Sequence, residues 1–284
     1  MQEPNPDEIL AMARERMAEQ REAQRATRQA GISANEQRWG LIFLAVLASL
    51  ILSFVFWPGA DLEQKLFVAV SGLVAQKHLV FMGERPLPLC ARNLGLYSGF
   101  VLSLGLLGAR GRGLAAALPA RPLLITLLIG MGLMVFDGIN SVLEDTGRAY
   151  LYMPRNDLRT LTGLLFAFGL TPIIILIFNR ALRVQAQFER PVIGWPDYAL
   201  LLGLGAIFLL LSQSGLALLF WPLALFGVIG IVSQLFMMYT MVAAVAMGYS
   251  RRVTSLAQLG RPACLGLLIT VLFVGGLAWL RASS

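Results

Sequence analysis

Residues 122–143 read PLLITLLIGMGLMVFDGINSVL, and the reading of this stretch decides the fold. Apart from Asp137 it carries no charge. A helix rising 1.5 Å per residue needs roughly 20 apolar residues to cross the hydrocarbon of a bilayer. Lipid offers no partner to a backbone N–H or C=O, so a run of this kind must be a helix that satisfies its own groups. Comparable blocks, each bounded by Arg or Pro, occupy 39–57, 91–109, 160–179, 197–219, 224–248 and 263–281. They are continuous and do not alternate, which argues against a β-barrel. The expected fold class is all-α: a polytopic transmembrane helical bundle of about seven spans. The segment 62–78 is too short and too closely flanked by charge to span, and is expected to form an interfacial or re-entrant helix.

The composition agrees. Of 284 residues, 57% are hydrophobic and 14% charged, against about 25% charged in soluble domains. The net charge of +7 would suggest nucleic acid on a soluble chain. Here the arginines stand in short loops between spans, where membrane topology accounts for them, and no nucleic-acid partner is expected. The two cysteines, Cys90 and Cys264, fall on opposite sides of the membrane in this topology, so no disulfide is expected.

Residues 1–38 form a polar tail, rich in Glu, Arg, Gln and Ala, expected to be partly helical or disordered. The transmembrane domain is 39–284. The first span follows a long charged tail and has no small-residue cleavage site after it, so it reads as a retained anchor. Arg110, Arg112, Arg121, Arg180, Arg183, Arg190, Arg251, Arg252 and Arg261 occupy one set of loops with few acids. The other set mixes signs: Asp61, Glu63, Lys65, Lys77, Glu84, Arg85, then Glu144, Asp145, Arg148, Arg155, Asp157 and Arg159. The excess of basic residues on the cytoplasmic side then places the N-terminus in the cytoplasm and, with an odd number of spans, the C-terminus outside.

The residues with chemistry gather at the outer ends of the second to fourth spans. Prolines 86 and 88 stop any helix before Cys90, which puts Arg92 in the first turn of its span, where the helix dipole disfavours a cation. Asp137, Asn140, Ser141 and Glu144 follow an i, i+3, i+4, i+7 pattern and share one helical face. A carboxylate at the depth of Asp137 costs about 2.5–3.5 kcal/mol on insertion scales, so it needs a partner or a polar cavity. Arg92 is its nearest partner in depth. The fourth span opens Arg159-Thr160-Leu161-Thr162-Gly163, and Thr162 and Gly163 permit close approach to the third. The three helix ends are expected to enclose an extracytoplasmic pocket lined by His78, Arg92, Asp137, Asn140, Glu144 and Arg159.

Leu87-Pro88-Leu89-Cys90-Ala91-Arg92, with Gly95 and Tyr97, resembles the hallmark of a family of prokaryotic membrane proteins of unknown function. In that family a Cys-His-Gln element precedes a Cys-Ala-Arg-Cys element, and an Asp-Gly pair and an Arg-x-x-Thr-Gly element follow. His78, Cys90, Arg92, Asp137, Gly138, Arg159, Thr162 and Gly163 take those places, over about 76–170. Lys77 and Asn93 stand where two cysteines would, so a thiol-metal site is not expected, and the resemblance implies no activity or cofactor.

The pocket is expected to receive a small anionic molecule or lipid head group. Arg92, Asn140 and Arg159 are the binding candidates, and His78, Asp137 and Glu144 the acid–base candidates. No metal is expected. Two other readings stand beside this one. The first is a small-solute or proton-coupled transporter, with Asp137 titrating. The second is a structural subunit with membrane-protein partners, suggested by the almost charge-free last three spans.

Overall fold

The computed structural model describes residues 6–74 and 77–283. Eight α-helices make up most of these residues: α1 Pro6–Phe56, α2 Leu62–Ser71, α3 Ala91–Ala109, α4 Arg121–Asp145, α5 Asn156–Leu182, α6 Trp195–Gln213, α7 Phe220–Ala246 and α8 Gly260–Ser283. The backbone of α1 continues without a break from the polar tail into the first span. Among the described residues six stretches are long and apolar enough to cross a membrane: Arg38–Phe56 of α1, α4, α5, α6, Ala217–Ala246 with α7, and Leu256–Ser283 with α8.

The seventh expected span, α3, is 19 residues long, as is α6, but is not among those six. Arg92 and Asn93 in its first turn and its several Gly and Ser residues lower its apolarity. Its surroundings explain why this is tolerated. Helix α3 lies against α5, α6 and α7, and Leu94, Gly95, Ser98, Gly99, Phe100 and Leu107 are buried. A helix enclosed by protein needs less apolar surface than one facing lipid.

The segment 62–78 holds a short helix. Among its described residues the helix is Leu62–Ser71, started by Asp61, whose carboxylate accepts from the Gln64 N–H at 2.7 Å. After it comes an antiparallel hairpin, β1 Leu79–Met82 and β2 Arg85–Cys90, turned at Gly83. Gly83 takes φ +64, a conformation that favours glycine. The hairpin plugs one end of the bundle: Met82, Leu87 and Leu89 are fully buried, and Leu89 touches the site of Gly227 on α7. Arg85 clasps it from outside, pairing with Glu63 and lying 3.7 Å over the Phe220 ring.

The charged loops sort to two ends, as their composition suggests. At one end the hairpin meets the loop after α6 (Gly83 N–H to Gly215 O, 2.7 Å) and α5 (Asn156 Nδ2 to Leu79 O, 3.1 Å). At the other, β3 Ala115–Ala117 pairs in parallel with β4 Gln187–Pro191, and Arg251 N–H reaches Ala181 O at 2.9 Å. Asp197, in the first turn of α6, is fully buried there and ties the end together. It accepts from Arg110 Nε at 3.0 Å, from Arg112 Nε at 3.0 Å and from the Gly194 N–H at 3.0 Å. Both cysteines are free, Cys90 at the hairpin end and Cys264 near the start of α8.

Candidate functional site

Helix α3 begins at Ala91, so Arg92 stands in its first turn as its sequence requires. There it meets the face of α4 that carries the polar i, i+3, i+4 series. Arg92 Nη2 lies 2.6 Å from Asp137 Oδ2, and the same nitrogen donates to Asp137 O at 3.1 Å and Ser141 Oγ at 2.8 Å. Asp137 is 1% exposed. Its other oxygen, Oδ1, accepts from the Tyr152 hydroxyl at 2.6 Å, and Thr162 Oγ1 lies 3.5 Å from Oδ2. The carboxylate is thus saturated by three elements, as a buried charge must be.

Asn140, one turn further along, holds the loop 146–155 over this pair. Its Nδ2 donates to Tyr152 O and its Oδ1 accepts from the Leu151 N–H, both at 2.8 Å. Tyr152 is thereby positioned as a lid on Asp137. Burial first, then its hydrogen bond to Asp137 and the charge there, push the Tyr152 hydroxyl up to about 12. A folded value above the ordinary one near 10 means the lid's contribution is complete below about pH 10 and lost as pH rises through about 12. Tyr152→Phe is expected to lower the thermal midpoint by a constant amount up to about pH 10, with the difference vanishing near pH 12. Unfolding scans of both proteins across that range check it.

A second group lies beside the first. His78, at φ +55, follows the described end of α2, and its Nε2 is 3.1 Å from Asp145 Oδ1. Arg159, in the first turn of α5, is 5% exposed. Its contacts are long: Nε to Ser141 Oγ and Nη1 to Asn156 Oδ1, both 3.4 Å. Its Nη2 has no hydrogen-bond partner, and Glu144 Oε2, also without one, stands 3.9 Å away. A buried donor and a buried acceptor left unmatched each cost about 1–3 kcal/mol. Arg155 pairs with Asp157 at 2.6 Å.

An open cleft of about 690 Å³ lies over these residues, lined by His78, Arg155, Asn156, Asp157 and Arg159 on one side and by Leu209, Leu210 and Gln213 of α6 on the other. Of the six residues expected to share one pocket, His78 and Arg159 line this cleft, and Glu144 sits within 3.9 Å of Arg159. Arg92, Asp137 and Asn140 are not on its wall; they form the closed network beneath the 146–155 loop. His78, Glu144 and Asp145 each offer a ligand atom within 4.8 Å of the others, the one group among the described residues that could hold a metal ion. Tyr152, Asp145 and the α6 leucines had no signal in the sequence. Tyr152 is one of two tyrosines in a polar loop, and Leu209 and Leu210 sit in an unbroken apolar run.

Residues 74–173 match the family described as "Predicted membrane protein (DUF2085)". The match takes in the hairpin, α3, α4 and most of α5, and so contains His78, Arg92, Asp137 and Arg159. No curated protein and no solved structure matches the chain.

Proposed function

We propose that this multi-pass membrane protein lies in the plasma membrane of a prokaryote and holds a small or lipid-borne anionic group in the cleft at its extracytoplasmic end. The N-terminus is cytoplasmic and the C-terminus extracytoplasmic. This orientation draws support from the gathering of Arg110, Arg112, Arg180, Arg183, Arg251 and Arg252 at the opposite end. A phosphatase fused after α8 is then active in whole cells and inactive when fused after α7.

The observation that carries the anion reading is Arg159. It is 5% exposed, yet every hydrogen bond its guanidinium makes is long and one of its nitrogens has none. A guanidinium held on a cleft wall with unused donors is suited to a phosphate or carboxylate, which takes parallel N–H···O bonds from it. Arg155, more exposed beside it, supplies a second donor. His78, on the same wall, is the acid–base candidate.

Proton-coupled transport through Asp137 has less support, because Arg92, Tyr152 and Thr162 already occupy its oxygens. Arg159→Gln is expected to weaken retention of an anionic phospholipid by about tenfold, the worth of one charge-assisted pair. Arg92→Gln is expected to cost stability without that selective loss. Native mass spectrometry of the purified chain with phosphatidylglycerol reads the first, and thermal unfolding the second.

A further inference from the structure

The charges around the cleft do not sum to a site for a simple anion. Arg155 faces Asp157 at 2.6 Å, Arg159 faces Glu144 at 3.9 Å, and Asp145 faces His78 at 3.1 Å. Two guanidiniums and one imidazole stand against three carboxylates, so each cationic or basic group already has its own acid. An anion bound to Arg159 would add a further negative charge beside Glu144, whose Oε2 is buried and without a hydrogen bond. Like charges at this range oppose binding. A ligand that brings its own cation removes the conflict: its anionic end meets Arg159, and its cationic end meets Glu144 and Asp145, which stand behind the cleft wall, each with a carboxylate oxygen within 4.8 Å of a ring nitrogen of His78 on that wall.

The far wall specifies the rest of the ligand. Leu209 and Leu210 belong to α6, a helix apolar enough to span, and Leu210 is 73% exposed. They stand within the last turn and a half before Gln213, at the level where a bilayer changes from hydrocarbon to head groups. A free solute gains nothing from these leucines. A lipid sets its first acyl carbons against them while its head reaches the charged wall. We infer that the cleft takes a zwitterionic phospholipid, with its phosphate on Arg159 and Arg155 and its ammonium on Glu144 and Asp145. This rests on the anion reading above and adds the lipid class.

The test uses the full chain in detergent, followed by native mass spectrometry. The probes are phosphatidylethanolamine, phosphatidylglycerol of the same acyl chains, water-soluble glycerophosphoethanolamine, and zinc or magnesium alone. Phosphatidylethanolamine is expected to be retained about tenfold better than phosphatidylglycerol. Arg159→Gln should weaken both. Glu144→Gln with Asp145→Asn should erase the preference while sparing phosphatidylglycerol. Leu210→Asn should weaken the lipid, and glycerophosphoethanolamine should fail to displace it at equal concentration. If Arg159→Gln does not fold, Arg155→Gln, at a more exposed position, takes its place.

Equal or better retention of phosphatidylglycerol, still sensitive to Arg159, overturns the zwitterion inference and leaves the anion reading standing. Displacement by glycerophosphoethanolamine, with Leu210→Asn silent, overturns the lipid assignment. Stoichiometric metal binding that Glu144→Gln abolishes gives the carboxylates to a metal and overturns the ammonium subsite. Retention of both lipids indifferent to Arg159 and Arg155 sinks the anion reading, and this inference with it.

Discussion

Asp137→Ala is expected to cost on the order of 3–5 kcal/mol of stability, the range measured when one partner of a buried ion pair is removed. The cost follows from what is left behind. Arg92 Nη2 spends three of its contacts on this one residue and its neighbour: Asp137 Oδ2, Asp137 O and Ser141 Oγ. With the carboxylate gone, a guanidinium in the first turn of α3 faces the positive end of its own helix dipole with no counter-charge. The Tyr152 hydroxyl loses its acceptor in the same step, which loosens the 146–155 loop. Asp137→Asn keeps an acceptor for one donor and removes the charge, so it is expected to fall between wild type and Asp137→Ala. Replacing both partners, Arg92→Met with Asp137→Leu, removes the unpaired charge and should recover most of the loss. Thermal unfolding of the four proteins in one detergent ranks them. A double variant no better than Asp137→Ala would show that the pair does more than neutralise itself.

That pair was legible in the sequence because its signal is local and costly. An acid in the middle of an apolar run demands a partner, and Arg92 is the cation at matching depth. The spans were legible for the same reason: about 20 apolar residues in a row have few other uses. What escaped depends on residues far apart in the chain. Asp197 carries no local signal of its role, because its partners Arg110 and Arg112 precede it by 87 and 85 positions. The strand Ala115–Ala117 has little β-propensity of its own and exists because Gln187–Pro191 comes to lie beside it. In β2, Pro86 and Pro88 exclude a helix before Cys90, and α3 does start at Ala91, but the same residues also fit the extended backbone of a two-stranded hairpin. The site divided for a similar reason. The face 137, 140, 141, 144 followed from helix geometry, whereas the loop that closes over its first two polar members, leaving Glu144 beside Arg159, came from a segment without periodicity.

Gly163→Ala and Gly95→Ala are expected to be at least as damaging as Asp137→Ala, although each adds a single methyl group. A Cβ at Gly163 would run into the backbone carbonyl of Arg92 and stand 2.8 Å from the Leu96 nitrogen. At Gly95 it would meet the Thr160 carbonyl and stand 3.1 Å from the Leu164 nitrogen. These obstacles are backbone and cannot swing aside as a side chain can, so α3 and α5 must separate along their shared seam. Overpacking a core typically costs about 1–3 kcal/mol, and a rigid obstacle puts these two above that range. Gly105 and Gly132, also in helices but with nothing within 4 Å of an added Cβ, are the controls. Alanine there is expected to be neutral or to stabilise by about 0.5–1 kcal/mol through helix propensity alone. The seam also sets the charges. Gly163 lies one turn after Arg159 on α5, and its obstacle is the carbonyl of Arg92, so a forced separation of α3 from α5 shifts Arg92 and Arg159 relative to one another beside α4. The losses of Gly163→Ala and Asp137→Ala should then overlap, and the double variant should fall short of their sum by about 0.5–3 kcal/mol, the coupling seen between residues in contact. Full additivity in the unfolding free energies would mean that the α3–α5 crossing and the buried ion pair are independent, and that the seam does not position the arginines.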